Sequence, residues 1–592
     1  MVMYEPPTRL LRVDLDAGAV ESEEVPGEWR RRFVGGKGLG ARYLYDELDA
    51  GVDPLGAENA LLFVLGPLSG VLPGDARYAV VTKSPLTGAF LDSYGGGTFP
   101  ERLVGALGDH LGVLVTGTAD HPVRLEVADG TARIRPADEL WGEDTRATDA
   151  AFPDAGVACI GPAGERQVRY ATIASDGGEH QAGRGGAGAV MGSKRLKAVV
   201  ARGRPPHALA ALRRQLTERF TADEGNGWYL ASETLETVDF ADEIGALATR
   251  GWQEREFEGA DDIGIEAASS AASERERCDD PIPGGFRVET DAGESVPRGA
   301  TPMSLGAGLG IDDFDAVAAL GETCDRLGID VISAGTAVAW AIRAEVADDR
   351  GRDLDFGDPA DARRLLEDVA ARETELGDAL ADGVARAARR YGGEDLVPTV
   401  KDMALPAYDP RGAVGMALAY ATSDRGACHR RALPVESEAL SGASWTPADT
   451  AHLVAHEQDV RSLLWSLVAD DFVGRSLRET LGAEWLRAAG MAFTPEELLR
   501  TGERIWTMTR LFNLREGFTR ADDSVPDLLL DSSAGESVDR QLDAETFEAM
   551  LDAYYAVRGW DGEGRPTRAT LDAVGLADVV DEATPTGSRD PD

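Results

Sequence analysis

Hydrophobic positions change their rhythm along the chain. Leu11, Val13 and Leu15 alternate with polar residues and then meet Ala17-Gly18, which predicts a hairpin over 9–22. Ala60–Leu65, Tyr78–Thr82 and Gly112–Thr116 are apolar runs bounded by Gly or Pro and read as strands. Val123, Leu125 and Val127 alternate up to Asp129-Gly130, a second hairpin over 123–135. Tyr170–Ala174 and Leu196–Ala201 add two more strand candidates. At Pro205-Pro206 the period lengthens. Leu209, Leu212, Leu216 and Phe220 share one helical face, Asp358-Pro359 reads as an N-cap with Pro at N1, and Leu376, Leu380 and Val384 recur at i+4.

The pattern therefore predicts an α+β protein: a β-sheet platform over 1–205, then two mainly α-helical domains over 206–415 and 416–580. Residues 253–300 are polar and read as a long loop, and 581–592 as a frayed tail.

Composition adds a habitat. The 592 residues contain 104 acids and 60 bases, a net charge of −44, and only five lysines. An acidic, lysine-poor surface suits a halophilic cytoplasm, where salt screens self-repulsion. A nucleic-acid partner is excluded on charge. No apolar run approaches a membrane span and no signal peptide is visible, so a cytoplasmic location is expected. Lys37, Lys83, Lys194 and Lys197 crowd the first third, which suggests a local demand for positive charge.

Candidate chemistry centres on Gly183–Lys194, where five glycines leave backbone bare around Arg184 and up to Lys194. Bare backbone approaches ligands closely, and successive N–H groups form an anion nest. Phe33–Gly40 reads as a second glycine-rich turn, with Lys37 in it. Asp92–Gly97, near Arg77, adds Gly95 and Gly96. Together these segments suggest a large, flat, anionic ligand on a β platform. Cys159, Cys278, Cys324 and Cys428 are dispersed, with no CxxC spacing.

The chain resembles the tungsten-containing aldehyde ferredoxin oxidoreductases from about residue 8 to about 575. The resemblance rests on Phe33–Gly40, Lys83–Gly88, Ile160–Glu165, Gly183–Lys194, Ala407–Gly412, Tyr420–His429 and Phe512–Phe518. It implies a tungsten or molybdenum bis-pterin cofactor with a bridging magnesium, held by Arg77, Gly95, Gly96, Arg184, Gly185 and Gly186. Asp325, Gly328, Ile329 and Asp330 match a loop that grips one pterin. His429 matches a histidine near the metal, suited to proton transfer. Arg425 is expected to lie beyond the platform. The implied substrate is a small aldehyde, and the implied partner is ferredoxin or another redox protein. A homodimer is compatible with the resemblance.

The departures are specific. The family holds a [4Fe–4S] cluster on CxxCxxxC and one distant Cys. The matching positions here are Arg277–Gly284, with Cys278 the one thiol, and Asp470. Four thiolates are the ordinary ligand set, so the cluster is expected to be absent and no metal ligand is assigned. A family glutamate segment aligns with Val296–Thr301, which has no acid, and Tyr94 stands where the family has a magnesium-binding Asn. A non-catalytic paralogue that keeps the fold, as partner, pterin carrier or regulatory subunit, is the alternative.

Overall fold

The computed structural model describes residues 4–291, 293–346, 353–441, 445–530 and 542–587. Twelve strands come first: β1 Arg9–Asp14, β2 Ala19–Glu24, β3 Leu61–Val64, β4 Tyr78–Lys83, β5 Phe90–Gly95, β6 His110–Thr116, β7 Val123–Ala128, β8 Thr131–Pro136, β9 Gly156–Cys159, β10 Ile173–Ser175, β11 His180–Ala182 and β12 Leu196–Arg202. They form two six-stranded sheets, ordered β2-β1-β6-β3-β4-β5 and β11-β10-β9-β12-β7-β8. Within these sheets only the β1–β6 and β7–β12 pairs are parallel.

Period two explains why the first sheet reads as continuous apolar runs. Leu61, Phe63, Tyr78, Val80, Val113 and Val115 face the second sheet, where they share one core with Leu125, Val127 and Val199. Leu62, Val64, Ala79, Val81 and Leu114 face the opposite way, onto Leu463, Leu467, Ile505 and Met508 of two long helices. A strand buried on both faces has no polar alternation to show. Both predicted hairpins form, and Asp129 (φ 51°) and Gly130 (φ 73°) take the left-handed conformations of a tight two-residue turn.

Helices follow, built on capped termini. Asp358 Oδ1 accepts from the N–H groups of Ala360 and Asp361 and starts Pro359–Ala371. Thr446 and Thr494 each close a capping box on Pro447–Leu467 and Pro495–Arg515. The Leu376–Val384 repeat is split: Gly383 (φ 104°) separates Glu375–Ala381 from Val384–Tyr391.

Four expectations need correction. The Phe33–Gly40 segment is a turn only to Gly35, and Gly36–Glu47 is a helix. Its glycines allow packing: Cβ atoms at Gly36, Gly38 and Gly40 would lie 2.3 Å from the Trp465 carbonyl oxygen, 2.2 Å from that of Phe33 and 2.5 Å from the Val81 side chain. Residues 253–300 are not a loop, since they hold helices Ala260–Ile263 and Ile265–Ala271 and a three-stranded sheet of Ala272–Arg275, Phe286–Thr290 and Gly293–Ser295. Residues 581–587 are pinned rather than frayed: Thr584 bonds the Tyr45 hydroxyl, Asp581 pairs with Arg515, and Gly587 bridges Thr567. The rest of the expected tail, 588–592, lies outside the described residues.

The fourth correction concerns the lysines. None supplies a free charge to a ligand, because every lysine side chain is buried and committed to the fold. Lys37 pairs with Asp92 and Asp424, Lys83 with Glu516, Lys197 with Glu165 and Lys401 with Asp523. Lys194 donates to the carbonyls of Ala57 and Gly117, at 3.1 and 3.2 Å, and so points away from the nest it was expected to close.

Candidate functional site

A cavity of about 780 Å³ lies between the β platform and the helices. Its lining brings together most of the side chains singled out from the sequence: Arg77, Arg184, Asp325, Ile329, Asp330 and His429. They arrive from far apart in the chain. Arg77 precedes β4, Arg184 follows β11, and Asp325 ends the helix Phe314–Leu327. Asp330 caps Val331–Arg343, and His429 follows Gly415–Ala421.

Of the predicted glycines Gly183 lines the cavity, whereas Gly95, Gly96, Gly185, Gly186 and Gly328 sit behind its wall. A Cβ on Gly95 would meet the Tyr78 ring at 2.4 Å, and one on Gly185 would meet Leu91 at 2.6 Å. Gly186 (φ 86°) is the left-handed N-cap of Ala187–Ser193, and its Cβ would stand 2.1 Å from the Arg169 carbonyl oxygen. Gly188 and Gly192 meet carbonyls of Thr172 and Gly164 as closely. The bare backbone thus serves close chain-to-chain packing, which steers Arg184 to the cavity. Gly328 (φ 76°) ends a helix by returning its N–H to the Cys324 carbonyl, and its own carbonyl accepts from the Thr172 N–H.

Arg184 is buried with one loose ion pair. Its Nη2 donates to the carbonyls of Ala404 and Ala427 at 2.5 and 2.7 Å, while Nη1 has no hydrogen-bond partner. The nearest carboxylate oxygen, Asp330 Oδ2, is 3.9 Å away and already accepts from the N–H and hydroxyl of Ser333. Arg425, expected beyond the platform, lines the same cavity. It donates Nη1 to the Asp92 carbonyl at 2.6 Å and Nη2 to Cys428 Sγ at 3.0 Å.

These guanidiniums leave an electrostatic imprint. Burial pushes the Cys428 thiol up, but Arg425, Arg431 and Arg184 outweigh it and bring it down to about 7. Burial and then Arg430 and Arg184 hold His429 well below its ordinary value, so its imidazole is neutral. Burial pushes Asp325 well above the carboxylate range, and Glu322 adds to the effect.

Arg77 belongs to a second assembly. Asp75 pairs with Arg77 at 3.1 Å and with Arg277 at 3.0 Å, and Arg77 reaches Asp470 at 3.2 Å. His180 stands between Asp75 (3.7 Å) and Glu276 (3.1 Å), and Arg298 pairs with Glu276 and Glu233 at 2.7 and 2.9 Å. Three guanidiniums and His180 thus meet four carboxylates, and the charges balance when His180 is protonated. Gly96 is glycine because of this network: its Cβ would lie 2.3 Å from Asp75, 2.9 Å from Arg77 and 2.9 Å from His180.

The network includes Arg277 and Asp470, which stand in the segments matched to the family's cluster ligands. Cys278 is exposed, while Cys159, Cys324 and Cys428 are buried. Among the described residues no group of three or more His, Cys, Asp or Glu is placed to hold a metal ion. The residues present do not fit a [4Fe–4S] cluster, which takes four thiolates.

Sequence reasoning missed Arg425, Cys428, His180, Arg298 and Glu233. Arg425 and Cys428 adjoin His429 in one short motif, so their proximity to it was available. The pairing of Arg298 and His180 with carboxylates from distant segments left no local signal.

A family model described as the aldehyde ferredoxin oxidoreductase N-terminal domain matches residues 10–203, and one described as domains 2 and 3 of that enzyme matches 211–576. Tungsten-containing aldehyde ferredoxin oxidoreductases of Pyrococcus abyssi and Pyrococcus furiosus are each 34% identical to this chain. The matches cover 97% of it and 99% and 100% of those proteins. The WOR-like subunit of an aliphatic sulfonate oxidoreductase of Pyrococcus furiosus is 26% identical over 98% of both chains. Among solved structures, the active-site complex BamBC of benzoyl coenzyme A reductase, with 1,5-dienoyl-CoA, shares the fold. Its TM-score is 0.83 over 98% of both chains, at 23% identity. No helix of the described residues is long and apolar enough to cross a membrane.

Proposed function

Because the chain belongs to the aldehyde ferredoxin oxidoreductase family, we propose that it is an oxidoreductase that converts an aldehyde to a carboxylate at a tungsten or molybdenum bis-pterin centre. The observation that carries this reading is the cavity of about 780 Å³ with the Arg184 guanidinium buried in its wall, its Nη1 without a hydrogen-bond partner and its nearest carboxylate oxygen 3.9 Å away. That volume lies in the range of cofactor clefts. A buried guanidinium nitrogen without an acceptor is costly unless a ligand supplies one.

The donor set fits a pterin with phosphates and N–H edges. Arg184 and Arg77 would hold phosphates, with a bridging magnesium, and Asp325, Ile329 and Asp330 would face a pterin edge. Gly95, Gly96, Gly185, Gly186 and Gly328 fix the backbone path that presents them. When bound, the metal centre supplies the two-electron redox capacity that side chains lack. The net reaction takes R–CHO and water to R–COO⁻, three protons and two electrons. His429, neutral and at the cavity wall, is the proton acceptor. The electrons pass to ferredoxin or another redox protein, without a [4Fe–4S] cluster in this chain.

Anaerobic purification from a host that makes the cofactor tests this. Tungsten or molybdenum, pterin and aldehyde-dependent dye reduction should be present together, with iron near zero. Arg184→Ala should cut pterin occupancy by about tenfold or more, since a charge-assisted bond contributes about 1.5–3 kcal/mol. Protein that carries neither metal nor pterin would overturn the reading. The mismatch with a cluster favours one second reading, a non-catalytic paralogue. Bound pterin with no aldehyde-dependent reduction would support it.

A further inference from the structure

Residues 180–217 contain no Asp or Glu, although the 104 acids of the chain fall about one in six. Much of this stretch is buried in the platform, but its end crosses the surface. Arg202, Arg204 and Arg214 are exposed there and Arg213 is half-buried. Arg102 joins them from the helix Thr98–Leu107; it is exposed, and its Nη1 donates to the Gly203 carbonyl at 3.4 Å. The 203–206 segment lies close against that helix. A Cβ on Gly105 would stand 2.1 Å from the Arg204 carbonyl oxygen, and one on Gly203 would stand 2.0 Å from the Ala106 nitrogen. None of these five arginines forms an ion pair among the described residues. On a molecule of net charge −44, five guanidiniums left unmatched on one face are a local reversal of sign.

This face adjoins a thin part of the cavity wall. Arg77 lines the cavity, Asp75 pairs with it at 3.1 Å and with Arg277 at 3.0 Å, and the Arg277 side chain is 30% exposed. Two ion-pair contacts therefore lead from the cavity to solvent. Glu101 interacts electrostatically with both Arg213 and Arg277, which places the arginine face beside that exit. The helix Ala210–Ala222 carries Arg213 and Arg214. Its Leu216 and Phe220 share a core with Val473 and Leu477 of Asp471–Leu477, the helix that starts after Asp470. We propose that Arg102, Arg202, Arg204, Arg213 and Arg214 dock an acidic redox protein, whose own one-electron centre comes to rest over Arg277 and receives the electrons there. The redox character of the partner rests on the aldehyde-oxidation reading; the docking of an acidic protein does not. Two electrons leave per aldehyde, so two oxidised partners are reduced in turn, while the protons go to solvent.

Guanidinium forks match surface carboxylates two bonds at a time. Molar salt shortens the Debye length to roughly 3 Å, so the repulsion between two polyanions fades and contact pairs across the face decide the fit. Cys278, the exposed cysteine beside Arg277, supplies the reporter. A coumarin maleimide placed on it is quenched when an iron–sulfur centre arrives. In molar potassium chloride, a strongly acidic [2Fe–2S] ferredoxin should quench it saturably, and a basic cytochrome c should not. Arg213→Glu together with Arg214→Glu should raise the dissociation constant about tenfold or more, as should Arg202→Glu with Arg204→Glu. Arg390→Glu, on the helix Val384–Tyr391, should leave it in place. Aldehyde-dependent reduction of a small viologen dye should be unchanged in all of these variants.

Absence of saturable quenching, equal quenching by cytochrome c, or dissociation constants unmoved by both arginine pairs would overturn the docking face. Sedimentation of the unlabelled proteins decides the matter if the dye itself blocks the contact. If the reversals instead dissociate a dimer of this chain, or abolish binding of a short DNA duplex that the wild type holds in the same salt, the face belongs to a second copy or to nucleic acid and the proposal fails. Wild-type protein that docks the ferredoxin but reduces no dye with aldehyde would sink the functional reading and leave the docking face standing. Dye reduction without docking would do the reverse.

Discussion

Gly186 and Gly88 have nearly the same backbone twist, φ 86° and φ 77°, in opposite surroundings. A methyl group on Gly186 would strike the Arg169 carbonyl, whereas one on Gly88 would meet nothing within 4 Å. Gly88→Ala should therefore cost only the left-handed strain, about 1–2 kcal/mol. Gly186→Ala adds overpacking, about 1–3 kcal/mol more. Denaturant unfolding of both variants in molar salt checks this, and equal losses would contradict it. The pair also shows what sequence conveys at this scale. A run of glycines announces that something approaches the backbone closely. It does not say whether the visitor is a ligand or another part of the chain, and at Gly186, Gly188 and Gly192 it is the chain.

At the scale of elements, the ion network joins strand ends, the 227–300 region and the segment after Pro447–Leu467. Its stability should depend on pH from both sides. Burial pulls His180 down, but Asp75 and Glu276 more than offset it, so its pKa is raised on folding. That contribution is complete below the unfolded value near 6.5 and is lost as pH rises through the folded value. Burial pushes Glu276 up, but Arg298 and His180 overcome it and hold it far below the carboxylate range. That contribution is present above the unfolded value and is lost as pH falls. Thermal unfolding in high salt should show a plateau with losses on both flanks, and His180→Gln should remove the alkaline loss. An alkaline flank unchanged by His180→Gln would refute the role.

Elements also divide into those the sequence discloses and those it conceals. The hairpins over 9–22 and 123–135, β3, β4 and β12 follow from alternation or continuous apolar runs. Phe90–Gly95 escaped because Asp92 and Ser93 interrupt it, and both are buried only because Lys37, Arg431 and the Gly183 carbonyl receive them. Of the candidate site, Arg77, Arg184, Asp325, Ile329, Asp330 and His429, named through the resemblance and its motifs, line one cavity. The pairings that tune it were not legible, because Arg184, Arg425 and Asp330 meet only in the folded chain.

For the whole molecule, net charge −44 sets the response to salt. The Debye length grows from roughly 3 Å at 1 M to 10 Å at 0.1 M, so repulsion between neighbouring surface acids returns on dilution. The melting temperature should fall by several degrees on dialysis from molar to millimolar salt, and an unchanged value would contradict this. The burial of every lysine side chain carries a further consequence. Folded protein offers amine-reactive esters, lysine-directed cross-linkers and acetyl donors no lysine amine on its surface. Each such amine becomes a target only when the segment around it opens. Labelling at Lys37, Lys83, Lys194, Lys197 and Lys401 is then a map of local unfolding, read one peptide at a time.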